Sequence, residues 1–257
     1  MAFFKVIIPT YGDCPYLQSA ASSVLDQTFN DLYIIIVHDN DDKHRSVLRD
    51  NESKPLYDLY LDGRYWNGGA RNKAMEFNPM PSKYTLFLDH DDSMPDEHVL
   101  ENLAIFAKEH DYPDAIRLPY TKKYMNDGHV VTKALNKENS IIDMANSPRV
   151  APWTKAVKTD LLPQFPENTT FEDVVHHLKV CDICSSYARF PQPVVEWRMW
   201  DGQTSKIKDK KWDSSKWRFI ADLKDLELSK FETVKARDNK LRAAIDILFK
   251  EEGWKIS

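Results

Sequence analysis

The tightest constraint on this chain is the stretch Tyr84-Thr85-Leu86-Phe87-Leu88-Asp89-His90-Asp91-Asp92, where a run of aromatic and branched apolar residues breaks off in three carboxylates and an imidazole. A short apolar run without alternation reads as a strand buried on both faces, which requires a sheet covered on both sides. Such a strand delivers dense negative charge to one sheet edge. Asp89, Asp91 and Asp92 repel one another at this spacing, so the cluster is costly unless a cation, or a partner carrying one, shares the site. Hard carboxylate oxygens suit Mg²⁺ or Mn²⁺. The same acids also fit a solvated loop or a helix cap, with Asp92 or Ser93 capping the helix that Pro95 and Asp96 open.

Two more strands precede it. Phe4 to Ile8 is stopped by Pro9-Thr10-Tyr11-Gly12, and Leu32 to Val37 runs into His38-Asp39-Asn40-Asp41-Asp42. Between them Leu17, Ala20, Ala21, Val24 and Leu25 recur at helical spacing, with Asp13 as cap and Pro15 in the first turn. Leu59-Tyr60-Leu61 forms a short strand, and Trp66-Asn67-Gly68-Gly69-Ala70-Arg71 leads into a helix whose first amides suit phosphate oxygens, with Arg71 as an added donor. Strands alternating with helices predict an α/β chain with a mostly parallel sheet whose ligands lie beyond the carboxyl ends, where Thr10, Asp39 and Asp89 fall. Further strands are expected at 115–118, 130–134 and 194–199, a loop at 151–157, a helix at 171–178, and a charged helical tail from Ser214 onward.

At 257 residues, 42% hydrophobic and 29% charged, the chain is globular, and one domain is favoured over two. No apolar run approaches a membrane span, and Met1-Ala2-Phe3-Phe4-Lys5 lacks a leader pattern, so the expectation is a cytoplasmic protein with no membrane span. A net charge of −5 argues against a general nucleic-acid binder, although Lys206 to Lys216 is locally basic and carries Trp212. Cys181-Asp182-Ile183-Cys184 is a single CxxC without a second pair, which favours buried thiols over a zinc ribbon.

Taken together, Lys5-Val6-Ile7-Ile8-Pro9-Thr10-Tyr11, Ser22 to Phe29, Ile34 to Asn40, Gly69-Ala70-Arg71-Asn72 and Phe87-Leu88-Asp89-His90-Asp91-Asp92 resemble, in order, the GT-A-fold glycosyltransferases of family 2. The resemblance is clear over residues 4–100 and thins toward 205. It implies a Rossmann-like GT-A sheet flanked by helices over 1–205, with 206–257 as a helical C-terminal extension packed on the same domain. It also implies a nucleotide-diphosphate sugar across the sheet edge: Pro9, Thr10 and Tyr11 lining the base pocket, Asp39 and Asn40 at the base, Arg71 near ribose or diphosphate, and Asp89 with His90 at the ribose. Asp91, Asp89 and Asp92 are the implied ligands of Mn²⁺ or Mg²⁺.

Phe171-Glu172-Asp173 resembles the motif supplying the base in inverting members, Asp173 first and Glu172 second, since an acceptor hydroxyl must lose its proton as it attacks. The two acids also suit a plain helix start. His176 and His177 follow one turn later, as an oriented imidazole, a surface pair or half of a metal site. Trp153 matches an acceptor-side loop, as a stacking platform or as core. Trp200 stands where the resemblance would align a metal-binding histidine, leaving Asp201 as a substitute. The acceptor implied is a glycan or possible DNA base. A metal-dependent phosphohydrolase or nuclease, and a catalytically silent sugar-nucleotide-binding protein, are the competing readings.

Overall fold

The structure is a computed structural model describing residues 1–39, 54–133, 140–167, 169, 171–201 and 221–251. Asn40 and the basic run with Trp212 lie outside the described residues.

A seven-stranded sheet runs in the order β3-β2-β1-β4-β8-β5-β9. Within it β1 (Ala2–Thr10) is flanked in parallel by β2 (Leu32–His38) and β4 (Ser82–Phe87), with Ile7 paired to Ile35 on one side and Phe87 on the other. Strand β3 (Leu56–Tyr60) pairs in parallel with β2. Strand β8 (Lys155–Lys158) lies antiparallel to both β4 and β5 (Ala115–Arg117), and β9 (Tyr187–Arg189) closes the edge. The predicted strands are present, the one at 59–61 shifted to Leu56–Tyr60, whereas β8 arises inside the segment expected to be a loop. Charged residues at both ends of Lys155-Ala156-Val157-Lys158 leave only two apolar positions, too few to show a period.

Both faces are buried because successive side chains alternate across the sheet. Phe4, Val6, Ile8, Ile34 and Ile36 face α1 (Leu17–Leu25) and α3 (Val99–Glu109), while Ile7, Tyr33, Ile35 and Phe87 face α2 (Trp66–Glu76). Each fully buried aliphatic side chain contributes about 1.5–3 kcal/mol. Helix α1 starts later than Asp13 would cap, and Asp96, rather than Asp92 or Ser93, accepts an N–H ahead of α3, from His98.

A third cluster joins α4 (Ile141–Asn146) and α5 (Glu172–Ile183) to the tail, where Leu223, Leu226 and Ala236 pack against Val175, Leu178 and Cys181. The last helix, α6 (Phe231–Glu251), is pinned through Asp182, which accepts from Ser229 N, Lys230 N and the Thr233 hydroxyl. Cys181 and Cys184 are free and buried, and burial pushes both thiols up to about 12. A small sheet, β10-β6-β7 (Val195–Met199, Tyr120–Tyr124, Val130–Lys133), stands beside the carboxyl edge. Among the described residues no helix is long and apolar enough to cross a membrane.

Candidate active site

Parallel strands ending together place their next residues side by side, and here those residues are acids. Asp39, one residue beyond β2, spends its carboxylate on the start of α2: Oδ1 accepts from Tyr65 N and Oδ2 from Trp66 N at 2.9 Å. The amides expected to be open to phosphate are therefore partly occupied by Asp39. Burial raises the Asp39 carboxyl above its ordinary value, against the pull of those two N–H groups. Trp66 is held at φ 60°, a left-handed conformation that costs a bulky residue about 1–2 kcal/mol. The first turn of α2 is crowded, since a Cβ on Gly68 would meet Pro166 O at 2.3 Å; glycine here permits α2 to touch the segment leading to α5.

That contact puts Arg71 where it can span the site. Its guanidinium, buried, donates Nη2 to Asp89 Oδ1 at 2.9 Å and Nη1 to Glu172 Oε1 at 3.0 Å. Asp89 also accepts the Trp153 indole N–H at 3.1 Å, so Trp153 props a sheet-edge acid as well as packing edge-on to Tyr120. Asp91 Oδ2 accepts the Trp200 indole N–H at 2.9 Å. Thus the side chain standing where a histidine was looked for is tied to the acid cluster through a hydrogen bond. Asp92 departs from the expectation of a metal ligand: it is buried, and its Oδ1 accepts Arg198 N at 3.0 Å, fixing β10 beside the sheet edge. Burial, with Asp89 and Asp91 adding to it, holds the Asp92 carboxyl well above the ordinary range.

The facing wall is α5 and the segment 147–154. Phe171, at φ 62°, turns the chain so that Glu172 and Asp173 open the helix. Burial pushes Glu172 up to about 7 against the attraction of Arg71, and burial also raises Asp173 against Lys155 and Arg71. Beneath them two buried cations hold the loop by its carbonyls. Lys155 Nζ donates to Val150 O and Ala151 O at 3.0 Å each, and Arg117 donates to Thr154 O and Arg149 O. Burial brings Lys155 down to about 7. Lys240 of α6 reaches Ser147 O at 2.8 Å. His176 is stacked on Phe165 at 3.6 Å, and His177 Nε2 meets Met144 O at 2.7 Å; burial keeps both well below their ordinary value. The two imidazoles are core groups, and the site gains nothing from their spacing to Asp173.

Between the walls lies a cleft of about 500 Å³ lined by Pro9, Trp66, Arg71, Asp89, His90, Asp91, Trp153, Phe171, Glu172 and Asp173, among others. Thr10 is buried just behind it, and Tyr11 is exposed, its hydroxyl accepting from Arg64 at 2.7 Å. The acids fit a hard divalent cation: Asp89 and Asp91 both line the cleft, and two carboxylates completed by substrate oxygens and water suffice for Mg²⁺. Among the described residues no three imidazole, thiol or carboxylate groups are gathered as a self-sufficient metal cage. Sequence reasoning missed Arg64, Trp66, Arg117 and Lys155. The last two carried no signal, since a cation inside a short strand reads as a solvated one.

Residues 5–161 match the Glycosyl transferase family 2 model, more than half of the chain. Two curated relatives share part of it. The minor teichoic acid biosynthesis protein GgaB of Bacillus subtilis is 27% identical over 154 residues, 56% of this chain and 16% of that one. The GalNAc(5)-diNAcBac-PP-undecaprenol beta-1,3-glucosyltransferase of Campylobacter jejuni is 30% identical over 96 residues, 37% of this chain and 31% of that one. The chain therefore spans less than a third of either. In overall shape it superposes on S. aureus TarS 1-349, solved in complex with UDP-GlcNAc, with a TM-score of 0.71 and 19% identity over 96% of this chain and 73% of that one.

Proposed function

The chain belongs to glycosyl transferase family 2, and from that premise we propose that its cleft transfers a sugar, with inversion, from a nucleotide-diphosphate donor to an acceptor hydroxyl. The observation that carries this reading is Arg71: one guanidinium holds Asp89 on the sheet edge and Glu172 on α5, so both groups of acids serve one cavity. Asp173 is the base. It takes the acceptor's proton as that oxygen bonds to the anomeric carbon and the bond from that carbon to the diphosphate breaks, with its electron pair leaving on the nucleoside diphosphate. A carboxyl raised by burial is suited to this, because it holds a proton better than an exposed one. Glu172, clamped by Arg71, is the second acid of the pair. Asp89 and Asp91 would hold Mn²⁺ or Mg²⁺, which when bound supplies positive charge for the leaving diphosphate. Pro9, Thr10, Tyr11 and Asp39 surround the base and His90 lies toward the ribose.

The acceptor is a glycan; GgaB and the Campylobacter jejuni transferase both carry names tied to polymer or lipid-linked glycan synthesis. Residues 206–257 are read as an extension of the same domain, supported by the packing of Leu223, Leu226 and Ala236 on α5.

The test is incubation with a panel of sugar nucleotides and Mn²⁺, following nucleoside diphosphate release and, by NMR, the anomeric configuration of product. Release with inverted configuration supports the reading; cleavage of phosphodiesters without sugar transfer would replace it with a hydrolase.

A further inference from the structure

Outside the acid cluster, the most built feature of the sheet edge is a pair of aromatic rings that share one cation. Tyr11 follows β1 and Trp66 opens α2; both are exposed, at 45% and 43%. The guanidinium carbon of Arg64 lies 3.9 Å from the centroid of each ring, over its face, and Nη1 donates to the Tyr11 hydroxyl at 2.7 Å. A planar, delocalised cation is the side chain that best imitates a stacked heteroaromatic ring. The slot is also maintained under strain. Trp66 stands at φ 60°, which an indole-bearing residue adopts only when its surroundings enforce it, and the enforcing group is Asp39, whose carboxylate takes the Tyr65 and Trp66 amides. Asp39 is within electrostatic reach of Arg64, so the cation touches two ring faces and has an anion nearby.

We infer that Tyr11 and Trp66 are the two walls of a slot for the nucleobase, and that Arg64 is its built-in occupant, which an arriving base displaces. This rests on reading the cleft as a nucleotide-sugar site and adds Trp66 and Arg64 to it. The chain's own guanidinium covers part of two rings that would otherwise stand bare in water. On displacement Arg64 is released beside the cleft, where its charge meets a ligand carrying phosphates.

The experiment measures binding of the four common ribonucleosides and their diphosphates by ligand-observed NMR to the wild type, Arg64→Ala and Trp66→Gly. Nucleosides isolate the slot, because they lack the phosphates that would respond to Arg64's charge. Arg64 is exposed, so its removal is expected to spare the fold; glycine at 66 accepts the positive φ without strain, so a thermal midpoint no lower than wild type certifies that variant. Arg64→Ala is expected to tighten the preferred nucleoside roughly two- to fivefold, and Trp66→Gly to weaken it about tenfold. Should Arg64→Ala leave nucleoside affinity unchanged or lower it, or Trp66→Gly leave it unchanged, while a diphosphate still binds, the slot is not what it is inferred to be and the sugar-nucleotide reading survives. If no diphosphate binds any of the three proteins, the reading of the cleft itself falls, and this inference with it.

Discussion

Along one wall of the cleft, Asp39 and Asp89 stand one and two residues beyond strands whose partners are their immediate neighbours in a parallel sheet. Along the other, the 147–154 loop beside Asp173 depends on cations: Lys155, which follows the loop directly, and two distant in the chain, Arg117 from β5 and Lys240 from α6. The first wall is placed by backbone pairing and apolar burial, which tolerate most changes in polar side chains. The second is placed by buried cations on carbonyl oxygens, where each lost donor leaves an acceptor without its partner. Substitutions at the sheet edge should therefore cost chemistry more than fold, and substitutions behind the loop should cost positioning.

The largest effect belongs to the proposed base. Asp173→Asn is expected to lower turnover roughly 10³-fold with nucleotide affinity unchanged, checked by diphosphate release beside a binding isotherm. An equal loss in both would move Asp173 from proton transfer to ligand binding. Arg71→Met strikes both walls at once by leaving Glu172 buried without its counter-ion, and should lower unfolding free energy by about 3 kcal/mol in urea titrations.

Acidity probes the same pair. Glu172 has its folded value raised to about 7, above the ordinary 4.5, so the native state binds the extra proton between them. Its contribution to stability is complete below 4.5 and is lost as pH climbs through 7. Glu172→Gln is expected to flatten that part of the pH–stability curve; an unchanged slope would show that Arg71 keeps the carboxylate ionised throughout. Next comes Lys155→Met, which deprives Val150 O and Ala151 O of their donor while removing a costly buried charge. Stability should move by less than about 2 kcal/mol, yet turnover should drop about tenfold with nucleotide binding intact, since the 147–154 loop shifts. Smallest is Trp153→Phe, which deletes one hydrogen bond to Asp89 and should cost about 1 kcal/mol in nucleotide affinity.

The same division explains what could be read in advance. The sheet-edge wall announces itself because apolar runs ending in acids are local patterns, and β1, β2 and β4 lie where those patterns put them. Even there, nothing in Asp89-His90-Asp91-Asp92 says which carboxylate turns inward; that is decided by Arg198 N on β10, more than a hundred residues away. Asp173 enters only through its resemblance to a family motif, and its setting could not be read at all. Lys155 looks like an exposed strand end until Val150 O and Ala151 O are seen to need it. Trp66 looks like a turn aromatic because its positive φ depends on Asp39, a contact no periodicity encodes.

The link from Lys240 to Ser147 O joins the start of the 147–154 loop to a helix residue 93 positions downstream. Anyone grafting a foreign loop into this scaffold to retarget it would need to transplant that helix too, because the incoming segment would otherwise arrive without its mooring.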